Sequence, residues 1–399
     1  MQSHEHVVAV VDVADDERQV HVPGRPLEGV HIEDTERSGK RDAHDLGGFH
    51  GGGCLPSIDG GQTPRRMVTA RCVRFIGPGR VEVSTEELRA LGEGEVLVRT
   101  MFSGVSAGSE MLAYRGQLDD DLALDETIGA LGGTFCYPFR YGYSCVGTIE
   151  TTTTCELAEG TSVFAFHPHQ DRFVASAADV VPLGSADPRA ATLFPLVETA
   201  LQVTLDAGAR FEEPVIVIGL GVVGMLTAAM LQRSGARVLA VEPLRWRRDI
   251  AVTLGIRAAE PGAAGDELSA MRAADGVPLI IEASGNPEAL ASALPLLAHE
   301  GTALVASWYG TKEVRLALGA EFHRRRLTIR SSQVSTIPAR LSGRWTTDHR
   351  RRTACDLLGK LPLDELATHT FPFEQAAEAF AAVDEGREGL MHVALGYRS

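Results

Sequence analysis

The sequence predicts an α/β protein in which an antiparallel, partly closed β-barrel half is followed by a doubly wound parallel sheet. Three observations predict it. From residue 68 to about 190, short runs (VRFIG, RVEVS, EVLVRTMF, SCVGTIE, SVFAF, FVASAADVVPL) are separated by Gly, Pro and Asp, the spacing of an antiparallel domain. From 191 to about 335, apolar strand runs alternate with helical patterns, which calls for right-handed crossovers onto a parallel sheet. A glycine-rich turn, GLGVVG at 219–224, follows one of those strands directly and opens a helix.

At 399 residues the chain exceeds the size at which one core keeps growing, so more than one domain is expected. Taken in order, residues 1–66 read as a disordered N-terminal extension. They hold ten glycines, six of the thirteen histidines and a net charge of −5 (seven basic, twelve acidic), too little apolar surface to offset the entropy of ordering. Met67 then opens the run VTARCVRFIG, so a start at Met67 with an in-frame extension upstream is one reading of this boundary. Residues 67–190 read as the β-rich half, 191–335 as the parallel-sheet half, and 336–399 as a closing segment with the helix FEQAAEAFAAVDEG and a last strand, MHVALGY.

The fingerprint carries the most specific chemistry. Val215 to Ile218 form a short strand; Gly219 permits the sharp turn, Gly221 lets backbone approach a diphosphate, and Gly224 lets the helix pack closely on the strand. Leu220, Val222 and Val223 complete the loop whose N–H groups face the phosphates at the helix start. Glu242 ends the run RVLAVE, 18 residues after Gly224, where a carboxylate accepts hydrogen bonds from ribose hydroxyls and disfavours a 2′-phosphate. NAD is therefore expected, with NADP as the alternative because Arg245, Arg247 and Arg248 follow at once; Arg247 is counted among the cofactor-binding residues.

Composition excludes several classes. A formal charge of −15 argues against a nucleic-acid partner, and no apolar run is long enough to span a bilayer. The six cysteines show neither a disulfide framework nor a zinc-ribbon spacing, and most are expected to be buried apolar residues. A cytoplasmic enzyme acting on a small molecule, with no membrane partner, is expected, and as a homodimer.

The β-rich first half, the central fingerprint and the closing segment HTFPFEQAAEAFAAVDEGREGLMHVAL together resemble the medium-chain dehydrogenase/reductase (alcohol dehydrogenase-like) superfamily from Met67 to Tyr397. The resemblance implies a GroES-like β-barrel catalytic domain interrupted by a Rossmann domain, the tail returning to the catalytic half, and hydride transfer at a nicotinamide C4. Zinc-dependent members read roughly G-I-C-G-T-D where this chain has SGVSAGSE, so Ala107 stands at the cysteine position beside Ser106. The G-H-E triplet is matched by Gly142-Tyr143-Ser144 and the E-P-L triplet by Phe194-Pro195-Leu196, with Glu198 close but out of register. No zinc is expected. The wording SGVSAGSE, AFHPHQDRFV, SWYG, HRRRL and SSQVST is similar to a zinc-lacking branch that includes bacteriochlorophyllide dehydrogenases, which implies interconversion of a secondary alcohol and a ketone.

Without zinc, the substrate oxygen needs another partner. Tyr143 is the first candidate, as a phenol at the old ligand position. His167 and His169 alternate about Pro168, are expected to face one side, and are candidates for relaying the proton. Ser106 and Ser109 are candidates for contacts to substrate or ribose. Two other functions stay open: a zinc-independent enoyl or quinone reductase using NADPH, and a non-catalytic NAD-binding protein.

Overall fold

The computed structural model describes residues 68–398; the N-terminal segment and the expectation of its disorder lie outside the described residues. The chain begins with β1 (Thr69–Gly77) and β2 (Arg80–Glu87), an antiparallel hairpin. Then come β3 (Glu95–Val105), the short helix α1 (Ser109–Tyr114), β4 (Cys145–Thr152), β5 (Ser162–Ala165), β6 (Arg172–Ser176) and β7 (Val180–Pro182). The run FVASAADVVPL is thus two strands, because a single turn of 3₁₀ helix at Ala177–Asp179, capped by the Ser176 hydroxyl, breaks it.

The nucleotide half starts with α2 (Phe194–Ala207), which has Pro195 in its first turn and ends on the left-handed Gly208. It continues through β8 (Pro214–Ile218), α3 (Val222–Arg233), β9 (Arg237–Val241), α4 (Arg245–Thr253), β10 (Arg257–Ala259), α5 (Ala264–Ala270), β11 (Val277–Glu282), α6 (Pro287–Ala293), β12 (Leu297–Val305) and β13 (Thr328–Ser331). The six strands form one parallel sheet in the order β10-β9-β8-β11-β12-β13. Strand order reverses between β8 and β11, which opens a crevice at their carboxyl ends, the place where such sheets bind ligands.

The closing segment divides. Helix α7 (Thr347–Leu358) packs against α2 and so stays with the nucleotide half. Only from His369 does the chain rejoin the antiparallel sheet, through β14 (His369–Pro372), α8 (Ala376–Asp384) and β15 (Val393–Gly396). That seven-stranded sheet runs β14-β15-β3-β4-β5-β7, with β6 also paired to β3. Its core is aromatic: Phe75 stacks on Phe139 at 5.2 Å and meets Phe380 of α8 edge-on at 5.3 Å. The C-terminal strand pairs antiparallel with β3, placing Leu395 opposite Ser103 and Val393 opposite Val105.

Among the described cysteines, Cys72 and Cys145 are buried but Cys136 and Cys155 are exposed, so burial is less general than composition suggests. Their chain positions explain it: Cys136 and Cys155 fall in connections between strands, where side chains need no apolar cover. No helix among the described residues is long and apolar enough to cross a membrane.

Candidate active site

The fingerprint turn is built as a cradle. Gly219 has φ +89, and a Cβ on it would lie 2.6 Å from Ser284 Cα; a Cβ on Gly224 would lie 1.9 Å from the Gly219 carbonyl oxygen. Both glycines are thus required by close packing. Gly221 differs: a Cβ there meets nothing within 4 Å, so the space in front of it is open to a ligand. Gly221 is also the N-cap of α3 and offers no capping side chain, which leaves the first-turn N–H groups of Val222, Val223 and Gly224 for an anion. The residues present fit a dinucleotide.

Glu242 lies just past β9 with 2% of its surface exposed. Its Oε2 accepts from Leu220 N at 2.7 Å and its Oε1 from Leu244 N at 3.0 Å, so the carboxylate is pinned beside the glycine turn. The three arginines after it have three different surroundings. Arg245 is exposed. Arg248 donates to the carbonyls of Glu242 and Pro243. Arg247 lies over the Trp246 ring with Nη1 3.8 Å from Glu242, and its buried Nε finds no partner among the described residues.

On the barrel side, the stretch 103–116 is the end of β3 followed by a turn and α1. Ala107 and Gly108 are exposed at the turn, whereas Ser103, Ser106 and Glu110 are buried. Ser109 Oγ lies 2.9 Å from the Tyr143 hydroxyl. Tyr143 retains partial exposure at its rim, yet desolvation is the main influence on its phenol, with the Glu110 carboxylate second; the phenol is pushed up to about 12. The structure therefore brings Ser106, Ser109 and Tyr143 together.

The two histidines do not share one environment. His169 is fully buried, with Nε2 2.8 Å from Glu110 Oε2 and Nδ1 2.8 Å from Ser103 Oγ. His167 stacks on Phe173 at 3.9 Å, its Nδ1 is 3.0 Å from the Pro168 carbonyl, and burial lowers its proton affinity to about 3. Held neutral, His167 is poorly suited to relaying a proton near neutral pH. The alternation argument requires a strand, and residues 166–171 lie between β5 and β6, where no period of two operates.

An aromatic series links the halves. Trp308, in the loop after β12, lies 6.2 Å from Phe135, which lies 5.1 Å from Tyr141, which lies 6.3 Å from Tyr143. Thr311 N, from the same loop, donates to the Gln117 carbonyl beside α1. Tyr143 is thereby tied to the carboxyl edge of the parallel sheet. That edge also holds a residue the sequence reading passed over: Glu282, fully buried at the end of β11, accepting from the Tyr309 hydroxyl at 2.7 Å and from Ser284 N at 2.7 Å. The signal was present, since VPLIIE ends in an acid as RVLAVE does.

The residues at the positions of the three zinc ligands do not fit a metal. Ala107 has no donor atom, Tyr143 offers a protonated phenol, and Phe194 is buried against Phe164 at 4.5 Å. Among the described residues no group of three or more His, Cys, Asp or Glu is arranged to hold a metal ion.

Comparison with known proteins gives a consistent picture. The family model for zinc-binding dehydrogenases matches residues 222–349. D-guloside 3-dehydrogenase of Escherichia coli K12 is 27% identical over 316 residues, covering 74% of this chain and 90% of that protein. The 2-desacetyl-2-hydroxyethyl bacteriochlorophyllide A dehydrogenase of Cereibacter sphaeroides is 26% identical over 329 residues, 76% of this chain and 91% of that protein. Among solved structures, a protein described as a short chain alcohol dehydrogenase of Escherichia coli CFT073, complexed with NADH, superimposes with a TM-score of 0.66 at 18% identity, covering 82% of this chain and 99% of that one, a likeness of fold. The chain thus carries the dinucleotide cradle, matches the zinc-binding dehydrogenase model over residues 222–349 and is similar along most of its length to dehydrogenases.

Proposed function

We propose that the chain interconverts a secondary alcohol and a ketone with NAD, without a catalytic zinc, and that Tyr143 is the group that meets the substrate oxygen. The observation that carries the reading is the paired Tyr143 and Ser109 hydroxyls, 2.9 Å apart, with Tyr143 at the position that the resemblance matches to a metal ligand of zinc-dependent dehydrogenases. When bound, the nicotinamide coenzyme supplies the hydride acceptor or donor. Gly219, Leu220, Gly221, Val222, Val223 and Gly224 would hold its diphosphate and Glu242 its ribose, with Arg247 over the adenine edge.

A phenol raised to about 12 keeps its proton throughout the neutral range. It is therefore a donor, able to hydrogen-bond a carbonyl oxygen as negative charge builds there and to pass its proton to that oxygen. Oxidation runs the same step in reverse and so starts from the phenolate, after the phenol has lost its proton to solvent. The Ser109 hydroxyl, donating to the phenol oxygen, lessens the cost of the charge that forms on it. Ser106 lines the same turn.

Support for the substrate class comes from the alignment with a glycoside 3-dehydrogenase, which favours a ring hydroxyl on a polyhydroxylated molecule. Support for NAD is the pinned Glu242 carboxylate. One observation favours a second reading, NADPH with an enoyl or quinone substrate: the guanidinium of Arg247 lies 3.8 Å from Glu242, and its buried Nε finds no partner among the described residues. Of the domain limits 67–190, 191–335 and 336–399, the last is proposed to divide, with α7 belonging to the nucleotide half and the chain from His369 to the barrel half. A homodimer is also proposed, supported by the exposed edge strand β13.

The test uses holoenzyme with NAD and a panel of methyl hexopyranosides, simple secondary alcohols and an enone. Tyr143→Phe should lower turnover by ~100-fold while NADH affinity stays within about two-fold. Unchanged turnover removes the phenol from the reaction. One zinc per purified chain, lost together with activity on chelation, overturns the metal-free mechanism.

A further inference from the structure

Glu110 and His169 lie behind Tyr143 and do not belong to the surface that substrate reaches: neither has any exposed area. Their hydrogen bonds are complete and can be assigned in one direction. In the Nε2–H tautomer of His169, Nε2–H donates to Glu110 Oε2 at 2.8 Å, and Nδ1 accepts from the Ser103 hydroxyl at 2.8 Å. Ser103 Oγ in turn lies 2.8 Å from the Tyr397 hydroxyl and accepts from it. The second oxygen of Glu110 accepts from Ser106 N at 3.1 Å. Every polar atom of the pair is thus satisfied, which is the condition for keeping a carboxylate in a dry core.

The pair touches each segment that carries a candidate site residue. Through Ser106 N, Glu110 fixes the turn leading into Ser109. Gly142, at φ +112, lies so close to the imidazole that a Cβ on it would be 2.7 Å from His169 Cδ2 and Nε2. The backbone that delivers Tyr143 therefore rests on the His169 ring. From the C-terminal segment, Phe380 holds the same ring edge-on at 5.8 Å. The Glu110 charge is also felt by the phenol, where it favours the protonated form.

We propose that Glu110 and His169 are a positioning pair for the Tyr143 hydroxyl, anchored at its far end by Ser103 and Tyr397. The inference rests on the reading of Tyr143 as the group that meets the substrate oxygen. Neither residue touches substrate; both act through the phenol.

A double-mutant cycle tests this on full-length holoenzyme with NAD and whichever member of the glycoside and alcohol panel turns over. Glu110→Gln, which keeps shape and removes charge, should lower kcat ~10- to 100-fold with KM and NADH affinity within about two-fold of the parent. In the Tyr143→Phe background the same change should cost less than about two-fold, because the phenol through which the pair acts is gone. A purely structural role for the pair would instead give additive losses in both backgrounds, and that outcome overturns the inference while leaving the role of Tyr143 intact. Undiminished turnover in Tyr143→Phe alone, or no turnover of any panel member by the parent, sinks the reading beneath it and the inference with it. Should Glu110→Gln not fold, Tyr397→Phe deletes a single hydroxyl at the outer end of the chain. It should show the same dependence on Tyr143 with a smaller loss, ~3- to 10-fold, and additive losses there count against the pair equally.

Discussion

Coenzyme choice should turn on one buried carboxylate. The substitution Glu242→Gln keeps the volume of a residue that is 2% exposed and retains one oxygen for Leu220 N or Leu244 N, the two donors at 2.7 and 3.0 Å that hold it. What it removes is the charge and one of the two acceptors. At ~5 Å and an effective dielectric near ~20, a carboxylate repels each unit of phosphate charge by about 3 kcal/mol, so a 2′-phosphate bearing more than one charge is opposed by several kcal/mol. Discounting half of that for salt and relaxation still leaves ~100-fold in affinity. The lost charge-assisted bond to the ribose costs NADH ~1.5 kcal/mol, about ten-fold. Fluorescence titration of the purified variant with NADH and NADPH measures both. The expected result is NADPH binding tighter by ~100-fold and NADH weaker by ~10-fold. An unchanged ratio of the two affinities would refute the argument and assign coenzyme choice to Arg247 instead.

Two other predictions separate binding from folding. Gly221→Ala introduces a methyl into open space, so melting temperature should hold while NADH affinity falls by at least ~10-fold; Gly224→Ala places a Cβ 1.9 Å from the Gly219 carbonyl oxygen and should lower both, as calorimetry and titration would show. Arg350 is 2% exposed and donates to Glu198 at 3.0 Å and to Gln202 at 2.6 Å between α7 and α2, so Arg350→Met should destabilise by about 3–5 kcal/mol in denaturant titration at pH 7 by stranding the Glu198 carboxylate. Burial already raises the Glu198 carboxyl, with Arg350 opposing the rise. A raised acid binds more protons folded than unfolded, so its contribution declines as pH rises through the folded value, and the loss in Arg350→Met should shrink as pH falls. A loss independent of pH would mean that Arg351, 3.8 Å from the same carboxylate, takes over the pairing.

What could be read from the chain was what depends on neighbours in sequence. The crossovers, the glycine turn and Glu242 follow from local period, turn geometry and an offset of 18 residues, and the parallel sheet with its reversed order at β8 and β11 is their direct consequence. The polar chain behind Tyr143 depends on other distances. Glu110 and His169 are 59 positions apart, and Ser103 and Tyr397 are 294 apart. Nothing local marks them: Ser103 and Tyr397 meet through the register in which β15 pairs with β3 after the whole nucleotide half has intervened, and His169 reaches Glu110 just before β6 pairs with β3. The same holds for the two histidines: a spacing of two has meaning only on a strand, and the bend after β5 turns one imidazole onto Phe173 and the other onto Glu110. The motif AGSE therefore has two layers of meaning. Its small residues shape a turn that any reader of the sequence can see, while its one carboxylate is committed to a partner that only the folded barrel supplies. That commitment is why Glu110 is buried and satisfied, where a carboxylate on a solvent-facing turn would be free to reach a ligand.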